Sequence, residues 1–113
     1  MSTLPLDTRG ASLQALRLRA GGACTLNVTN TSTRNATPFD PETQVIQVLA
    51  EGPCWVRTGG ADVTAAPTDH FLYPRILYQL SLGGRSDDQH RYLAAIREPE
   101  FDGVCPLHIS EME

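Results

Sequence analysis

The chain has 113 residues, an apolar content of 41% and a formal net charge of −4, which together predict one domain with a single modest core. The acidic balance argues against nucleic acid and anionic membranes as partners, because both attract basic faces. No apolar run approaches the roughly 20 residues that span a bilayer, and the first residues lack the basic and apolar regions of a signal peptide, so we expect synthesis in the cytoplasm.

Residues 1–11 are predicted to form an extended arm. They carry Leu4, Leu6 and Arg9 together with a proline and a glycine that disfavour a helix. In an extended segment, the leucines can fill pockets on a neighbouring subunit while the arginine pairs with its carboxylates. The alternative is a frayed end that contacts nothing. The remaining residues, 12–113, are predicted to form a single β-domain.

Short alternating segments separated by turn residues dominate this domain and predict strands. Segments 12–19 and 24–29 come first, with a glycine pair marking a break between them. The first of them can also be read as a short helix. A long polar loop follows over 30–42. Segment 43–50 is β-branched and apolar on both faces, which predicts a central strand.

The second half of the chain continues the same pattern. A Gly-Pro turn leads into segment 54–58, where Trp55 and Arg57 alternate with smaller residues on the opposite face. Further strand candidates are 61–65 at an edge, 70–73, 76–82, 91–97 and 104–110. The whole pattern predicts a small antiparallel β-sandwich or jelly-roll-like barrel with an extended N-terminal arm and at most one short helix.

Sequence motifs for catalysis and metal binding are missing. The three histidines lie in different segments without metal-ligand spacing, and neither a nucleophile elbow nor a recognisable Cys–His pair is present. The three cysteines are odd in number and far apart, which predicts free, unmetallated thiols. We therefore expect a protein that is not an enzyme and that uses no cofactor and no metal.

Trp55 is the residue that most strongly suggests binding. It shares a strand face with Arg57, and tryptophan and arginine are enriched in the hot spots of protein interfaces. Two interpretations remain open: either the pair is exposed and binds a partner, or both faces of the strand are covered. We include Tyr73 among the interface candidates with Trp55 and Arg57, and with the three arm residues.

A recurring layout runs through residues 43–113. In Val45–Arg57 a β-branched strand ends at a Gly-Pro turn, which is followed by a cysteine and a tryptophan. The layout continues in segments 63–66, 68–74, 94–97 and 108–113. This region resembles small bacteriophage virion proteins, although Arg75 stands where those proteins lead us to expect a glycine after the proline.

The resemblance implies a structural protein of a bacteriophage particle, foremost a capsid decoration or cement protein located in the virion. It implies the major capsid protein or other virion proteins as partners, and a homo-oligomer, with a trimer favoured. A head–tail or tail component is an alternative. Another is a carbohydrate- or receptor-binding β-module, in which Trp55, Tyr73 or Tyr78 would stack on sugar rings.

Overall fold

The computed structural model describes residues 16–83 and 89–113. These residues form eight β-strands and no helix, so none of them belongs to a helix that could cross a membrane. The strands are β1 (Leu18–Val28), β2 (Thr33–Arg34), β3 (Val45–Ala50), β4 (Cys54–Gly59), β5 (His70–Leu72), β6 (Leu77–Ser81), β7 (Tyr92–Arg97) and β8 (Cys105–Met112). The prediction of an all-β fold is confirmed.

The strands form two four-stranded antiparallel sheets. The first sheet has the order β1-β8-β3-β6 and the second has the order β2-β7-β4-β5. This order is that of an eight-stranded jelly roll, in which two Greek keys fold into facing sheets. Strand β3 lies between β8 and β6, so the prediction of a central strand at 43–50 is confirmed.

The core lies between the two sheets and follows the alternation of each strand. In β3, Ile46, Val48 and Ala50 are fully buried, while the residues between them are half-buried. Burying a side chain of the size of Ile46 or Val48 stabilises the fold by about 1.5–3 kcal/mol. The other core residues include Leu26, Val28, Phe39, Cys54, Val56, Leu72, Leu82, Leu93, Ala95, Cys105, Leu107 and Ile109.

The glycine pair lies inside one long strand and does not separate two strands as predicted. Strand β1 runs through it and pairs with β8 on both sides of an irregularity between Leu18 and Ala23. Gly21 has a φ of 75°, a conformation that glycine adopts without a steric penalty. The helical alternative for 12–19 is wrong at its described end, because Leu18 and Arg19 lie in β1. The predicted arm lies outside the described residues.

A polar network around Glu111 holds one long connection in place. The Oε1 atom of Glu111 accepts hydrogen bonds from the Asp40 main-chain N–H at 2.8 Å and from the Thr43 hydroxyl at 2.7 Å. Arg19 donates to the Asp40 carboxylate at 2.8 Å. These bonds tie the β2–β3 connection to β1 and β8, so part of the predicted polar loop is fixed at this end of the sandwich.

Candidate interaction surface

The outer face of the second sheet carries the predicted interface residues of the β-domain. Strand β4 turns Cys54 and Val56 into the core, so Trp55 and Arg57 point outward. Trp55 lies opposite Phe71 of β5 and Ile96 of β7. Residues directly opposite each other in an antiparallel pair share a face, and these three side chains therefore form one row across the sheet.

Three aromatic rings continue this row towards the edge of the sheet. The ring centroids of Trp55 and Phe71 are 5.4 Å apart with an interplanar angle of 64°, and those of Phe71 and Tyr73 are 5.0 Å apart at 86°. Both contacts are edge-to-face, which adds about 0.5–1.5 kcal/mol beyond the area buried. Tyr73 is 60% exposed, so the outermost ring of the series is open to solvent.

The β4–β5 connection, residues 60–69, crosses part of this outer face. The main-chain N–H of Ala65 donates to the Ser32 hydroxyl at 2.7 Å, and Ser32 directly precedes β2, two strands away from β4. The connection must therefore pass over β7. This path explains why Ala65 and Ala94 are buried although neither belongs to the core cluster. The predicted edge strand at 61–65 is wrong, because this segment is a covering loop.

The crossing connection resolves the two interpretations of Trp55 into an intermediate arrangement. Trp55 is half-buried, so it is neither fully covered nor freely exposed. The guanidinium of Arg57 lies 4.0 Å from the Asp69 carboxylate, and the Arg57 side chain is 61% exposed. Arg34 is engaged locally, since it lies 4.3 Å over the ring of Tyr92. Of these two arginines, Arg57 is therefore the one more open to solvent.

The β5–β6 turn extends the apolar surface around the edge of the sandwich. All residues from Tyr73 to Leu77 are exposed, and they include half of the large hydrophobic side chains that are exposed among the described residues. We define the Tyr73 surface as the set Trp55, Phe71, Tyr73, Arg75, Ile76 and Leu77. Exposed apolar side chains that are grouped in one region of the surface are typical of an interaction site.

Arg75 occupies a strained position in this turn. Its φ is 64°, in the left-handed region that costs a non-glycine residue about 1–2 kcal/mol. Its main-chain N–H donates to the Ala50 carbonyl at 2.8 Å, which anchors the turn to the end of β3. A glycine after Pro74 would adopt this backbone conformation without strain. The chain has the positively charged Arg75 at this position instead.

The outer face of the first sheet carries a polar network around His108. The Thr25 hydroxyl lies 3.4 Å from His108 Nδ1, and His108 Nε2 lies 2.7 Å from Glu51 Oε2. The order hydroxyl, imidazole and carboxylate is that of hydrolase triads. Here, however, Thr25 and His108 are direct cross-strand neighbours, and both lie on a solvent-exposed sheet face. The strand register accounts for this network as surface hydrogen bonding.

The three cysteines are free thiols in different environments. Cys24 is exposed, whereas Cys54 and Cys105 are buried. Burial raises the pKa of Cys54 from 9.0 to about 12, and the neighbouring Cys105 adds to the effect. A buried thiol with a raised pKa is a poor nucleophile. In the described part of the chain, no three histidine, cysteine or acidic side chains come together as a metal site.

The structure brings together three of the predicted interface residues. Trp55, Arg57 and Tyr73 lie on one side of the second sheet, while the candidates Leu4, Leu6 and Arg9 lie outside the described residues. Sequence reasoning did not include Phe71, although its alternation with Leu72 in β5 placed it on the Tyr73 face. The exposure of Ile76 depends on the turn conformation, which the alternation did not reveal, whereas Leu77 is exposed as the first residue of β6.

Comparison with known proteins adds no relative from which a function could be transferred. No protein-family model, no curated protein and no solved structure matches the chain.

Proposed function

We propose that this chain is a structural protein of a bacteriophage particle, foremost a capsid decoration protein that binds the shell. It would be made in the host cytoplasm, would act without a cofactor, and would assemble with other virion proteins as an oligomer. The observation that supports this best is the Tyr73 surface, where exposed aromatic and aliphatic side chains sit on a rigid sandwich. The alternative within this proposal is a structural component of the head–tail junction or of the tail.

Two physical arguments support an assembly role. Eight-stranded jelly rolls recur in viral capsid domains as well as in lectins, so the architecture suits a shell component. The Tyr73 surface also combines tryptophan, tyrosine and arginine, the residue types that dominate binding energy in protein interfaces. A flat array of repeated subunits can bury such a surface, and each copy gains stability from the contacts it makes in the particle.

The carbohydrate-binding alternative draws less support from the ring geometry. Sugar rings stack on the faces of aromatic rings, and a chain of sugars needs several faces that lie in similar planes. The rings of Trp55, Phe71 and Tyr73 are instead inclined to their neighbours by 64° and 86°. They present edges and faces in turn, which suits the irregular surface of a protein better than a glycan chain.

Co-assembly tests the proposal directly. The chain would be co-expressed with the genes that flank it in its genome, and assembled shells would be pelleted through a sucrose cushion. We expect the chain to pellet with the shells. The double variant Tyr73→Ala/Ile76→Ala is expected to reduce the affinity for the shells by about tenfold or more, as for hot-spot residues. Leu18→Ala is the matched control, because Leu18 is 61% exposed but lies in β1 of the other sheet.

Two outcomes would count against this function. A chain that stays in the supernatant while shells form from the flanking genes would contradict the virion assignment. Retention on an immobilised glycan array that depends on Tyr73, together with absence from shells, would support the carbohydrate-binding alternative instead.

The predicted arm gives a second, independent contact for the same function. Its residues Leu4, Leu6 and Arg9 suit addition to a neighbouring subunit by main-chain hydrogen bonds and side-chain pockets. Deleting residues 2–11 is expected to leave the unfolding midpoint unchanged and to reduce pelleting with shells. Pelleting equal to that of the full chain would show that the arm makes no contact in the particle.

A further inference from the structure

We propose that the Tyr73 surface of one subunit binds the β7–β8 loop of a second copy of this chain. The proposal rests on the assembly function, since it names the neighbour that covers that surface in the particle. We define the acidic loop as residues 98–104, which contain Glu98, Glu100, Asp102 and Val104. The argument depends on the chemistry of the two patches, on their rigidity and on their positions.

The receiving surface is apolar with positive charge beside it. Tyr73, Ile76 and Leu77 are 60%, 48% and 54% exposed, and Arg75 stands in the middle of the same turn. A cleft of about 300 Å³ lies between the edge strands β5 and β6, and Phe71 of the Tyr73 surface lines it together with other apolar side chains. A complementary partner would present carboxylates to the arginine and a small apolar side chain to the rings or the cleft.

The acidic loop presents this combination. Val104 is 84% exposed, the highest exposure among the exposed large hydrophobic side chains of the described residues. Glu100 and Asp102 are exposed in the same loop. The chain therefore carries both a patch that needs acidic and apolar groups and a segment that supplies them, which is the charge complementarity expected between copies.

The loop is held in a defined shape, so its binding would cost little ordering entropy. The Glu98 main-chain N–H donates to the Pro53 carbonyl at 3.1 Å, and the Phe101 N–H donates to the Glu98 carbonyl at 3.1 Å. Phe101 packs so closely on Gly52 that a Cβ there would lie 2.8 Å from its ring. Arg97 also donates to the Gly103 carbonyl at 3.0 Å.

The positions of the two patches fit an assembly of identical copies. The β5–β6 turn is anchored to Ala50 and the acidic loop to Pro53, so both lie at the end of the sandwich where β3 passes into β4. They are separate patches of one subunit, and a contact between unlike patches closes into a ring when the rotation fits. A ring around an axis beside this end would place each acidic loop on the next Tyr73 surface.

The strain at Arg75 allows an experiment that separates binding from folding. The substitution Arg75→Gly would relieve the strain of the left-handed backbone conformation and would also remove the positive charge of the side chain. Arg75→Gly is therefore expected to raise the unfolding midpoint Tm, by about 4 °C, while it weakens self-association. A residue that served only the fold would not give effects of opposite sign.

The self-association of the purified chain would be measured by sedimentation velocity over a concentration series. We expect a concentration-dependent oligomer, with Arg75→Glu and Glu100→Arg each raising the dissociation constant by about tenfold or more. The double variant Arg75→Glu/Glu100→Arg is expected to return to within about threefold of the original value, because the opposite charges meet again. Arg17→Glu is the control, since Arg17 lies at the start of β1 and pairs with Glu113.

Each result decides the proposal. Rescue by the double variant supports it, whereas a monomer at every concentration, additive losses without rescue, or an equal loss in Arg17→Glu overturns it. The shell-pelleting experiment distinguishes this failure from failure of the proposed function. If Tyr73→Ala abolishes pelleting with shells while Arg75→Glu and Glu100→Arg leave self-association unchanged, the surface binds another virion protein and only the present inference is overturned.

Discussion

The two sheets of the sandwich have similar inner faces and different outer faces. Both inner faces are lined by buried apolar side chains that alternate along each strand. On the outer face of the first sheet, hydrogen bonds join Thr25, His108 and Glu51, and the exposed apolar side chains Leu18 and Leu77 belong to its two edge strands. The outer face of the second sheet holds an aromatic row and is partly covered by residues 60–69.

This difference arises from a connection and not from the strands. Strands β4 and β5 are neighbours in the second sheet, and a hairpin between neighbours needs only roughly two to five residues. The connection over 60–69 is longer than that, and its excess length lies on the outer face, where Ala65 is bonded to Ser32. Apolar residues on an outward strand face can therefore be buried by a connection of the same chain. Only the apolar residues that the connection leaves uncovered are accessible from outside.

The largest expected effect comes from enlarging an alanine beneath this cover. Ala94 is 0% exposed and points away from the core cluster, so Ala94→Leu must displace residues 60–69 or strain the sheet. We expect a loss of about 1–3 kcal/mol in the free energy of unfolding, as for other overpacked sites. Urea denaturation followed by tryptophan fluorescence would measure it.

The matched control is the same substitution on the other outer face. Ala23 of β1 is exposed and lies opposite Ser110, so Ala23→Leu is expected to change the free energy of unfolding by less than about 0.5 kcal/mol. Equal losses in the two variants would contradict the difference between the two faces.

The next effect concerns the interior that both sheets share, and it depends on pH. Burial raises the pKa of Cys54 from 9.0 to about 12, so the unfolded chain releases this proton first as the pH rises. The free energy of unfolding therefore keeps its full contribution from the protonated Cys54 thiol below about pH 9 and loses it between pH 9 and 12. We expect the free energy of unfolding to fall by up to about 1.4 kcal/mol per pH unit in that window.

Denaturation curves at pH 8, 9 and 10 would test this dependence on Cys54. The chain contains no lysine, but burial also raises the pKa of Cys24 and Cys105, so the contribution of Cys54 is the difference in slope between the parent chain and a variant without this thiol. Cys54→Ala should have a shallower alkaline slope than the parent chain, even if it is less stable at pH 8. Identical slopes in the two proteins would contradict the assignment to Cys54.

The fold class could be predicted from the sequence because the alternation of apolar and polar residues along a strand follows the burial of its two faces. The apolar residues of 43–50 and 104–110 were enough to predict strands, and both segments form strands. The glycine pair before Ala23 was misread because glycine marks an irregularity inside a strand as well as a break between two strands. The short strand β2 was missed inside a polar loop, since two residues carry no period.

The candidate site was predictable in part for the same reason. Trp55 and Arg57 were placed on one face by alternation alone, and the structure agrees. The neighbours of Trp55 across the sheet depend on strand order, which a local pattern does not contain. The cover over Ala94 depends on a long-range bond between Ala65 and Ser32, and the sequence around either residue gives no sign of it.

A smaller effect is expected from the aromatic row of the second sheet. The rings of Trp55 and Phe71 are in edge-to-face contact, so a double-mutant cycle with Trp55→Leu and Phe71→Leu should yield a coupling of about 0.5–1.5 kcal/mol. Thermal or urea unfolding of the four proteins would provide it, with circular dichroism as the signal because Trp55 is the only tryptophan. A coupling indistinguishable from zero would mean that the rings act only through the area they bury.

The smallest effect is expected from the polar network on the outer face of the first sheet. The His108 imidazole and the Glu51 carboxylate are 2.7 Å apart, but their side chains are 47% and 37% exposed. The contact is an ion pair only when His108 is protonated, and exposed ion pairs contribute about 0.2–1 kcal/mol and are screened by salt. Glu51→Gln keeps the shape and one acceptor oxygen, so we expect it to lower the free energy of unfolding by no more than this amount. The loss should shrink further when the urea titration is repeated in 1 M salt. A loss above about 2 kcal/mol that persists in salt would show that this network stabilises the fold as strongly as buried groups do, and the two outer faces would then differ less than the structure indicates.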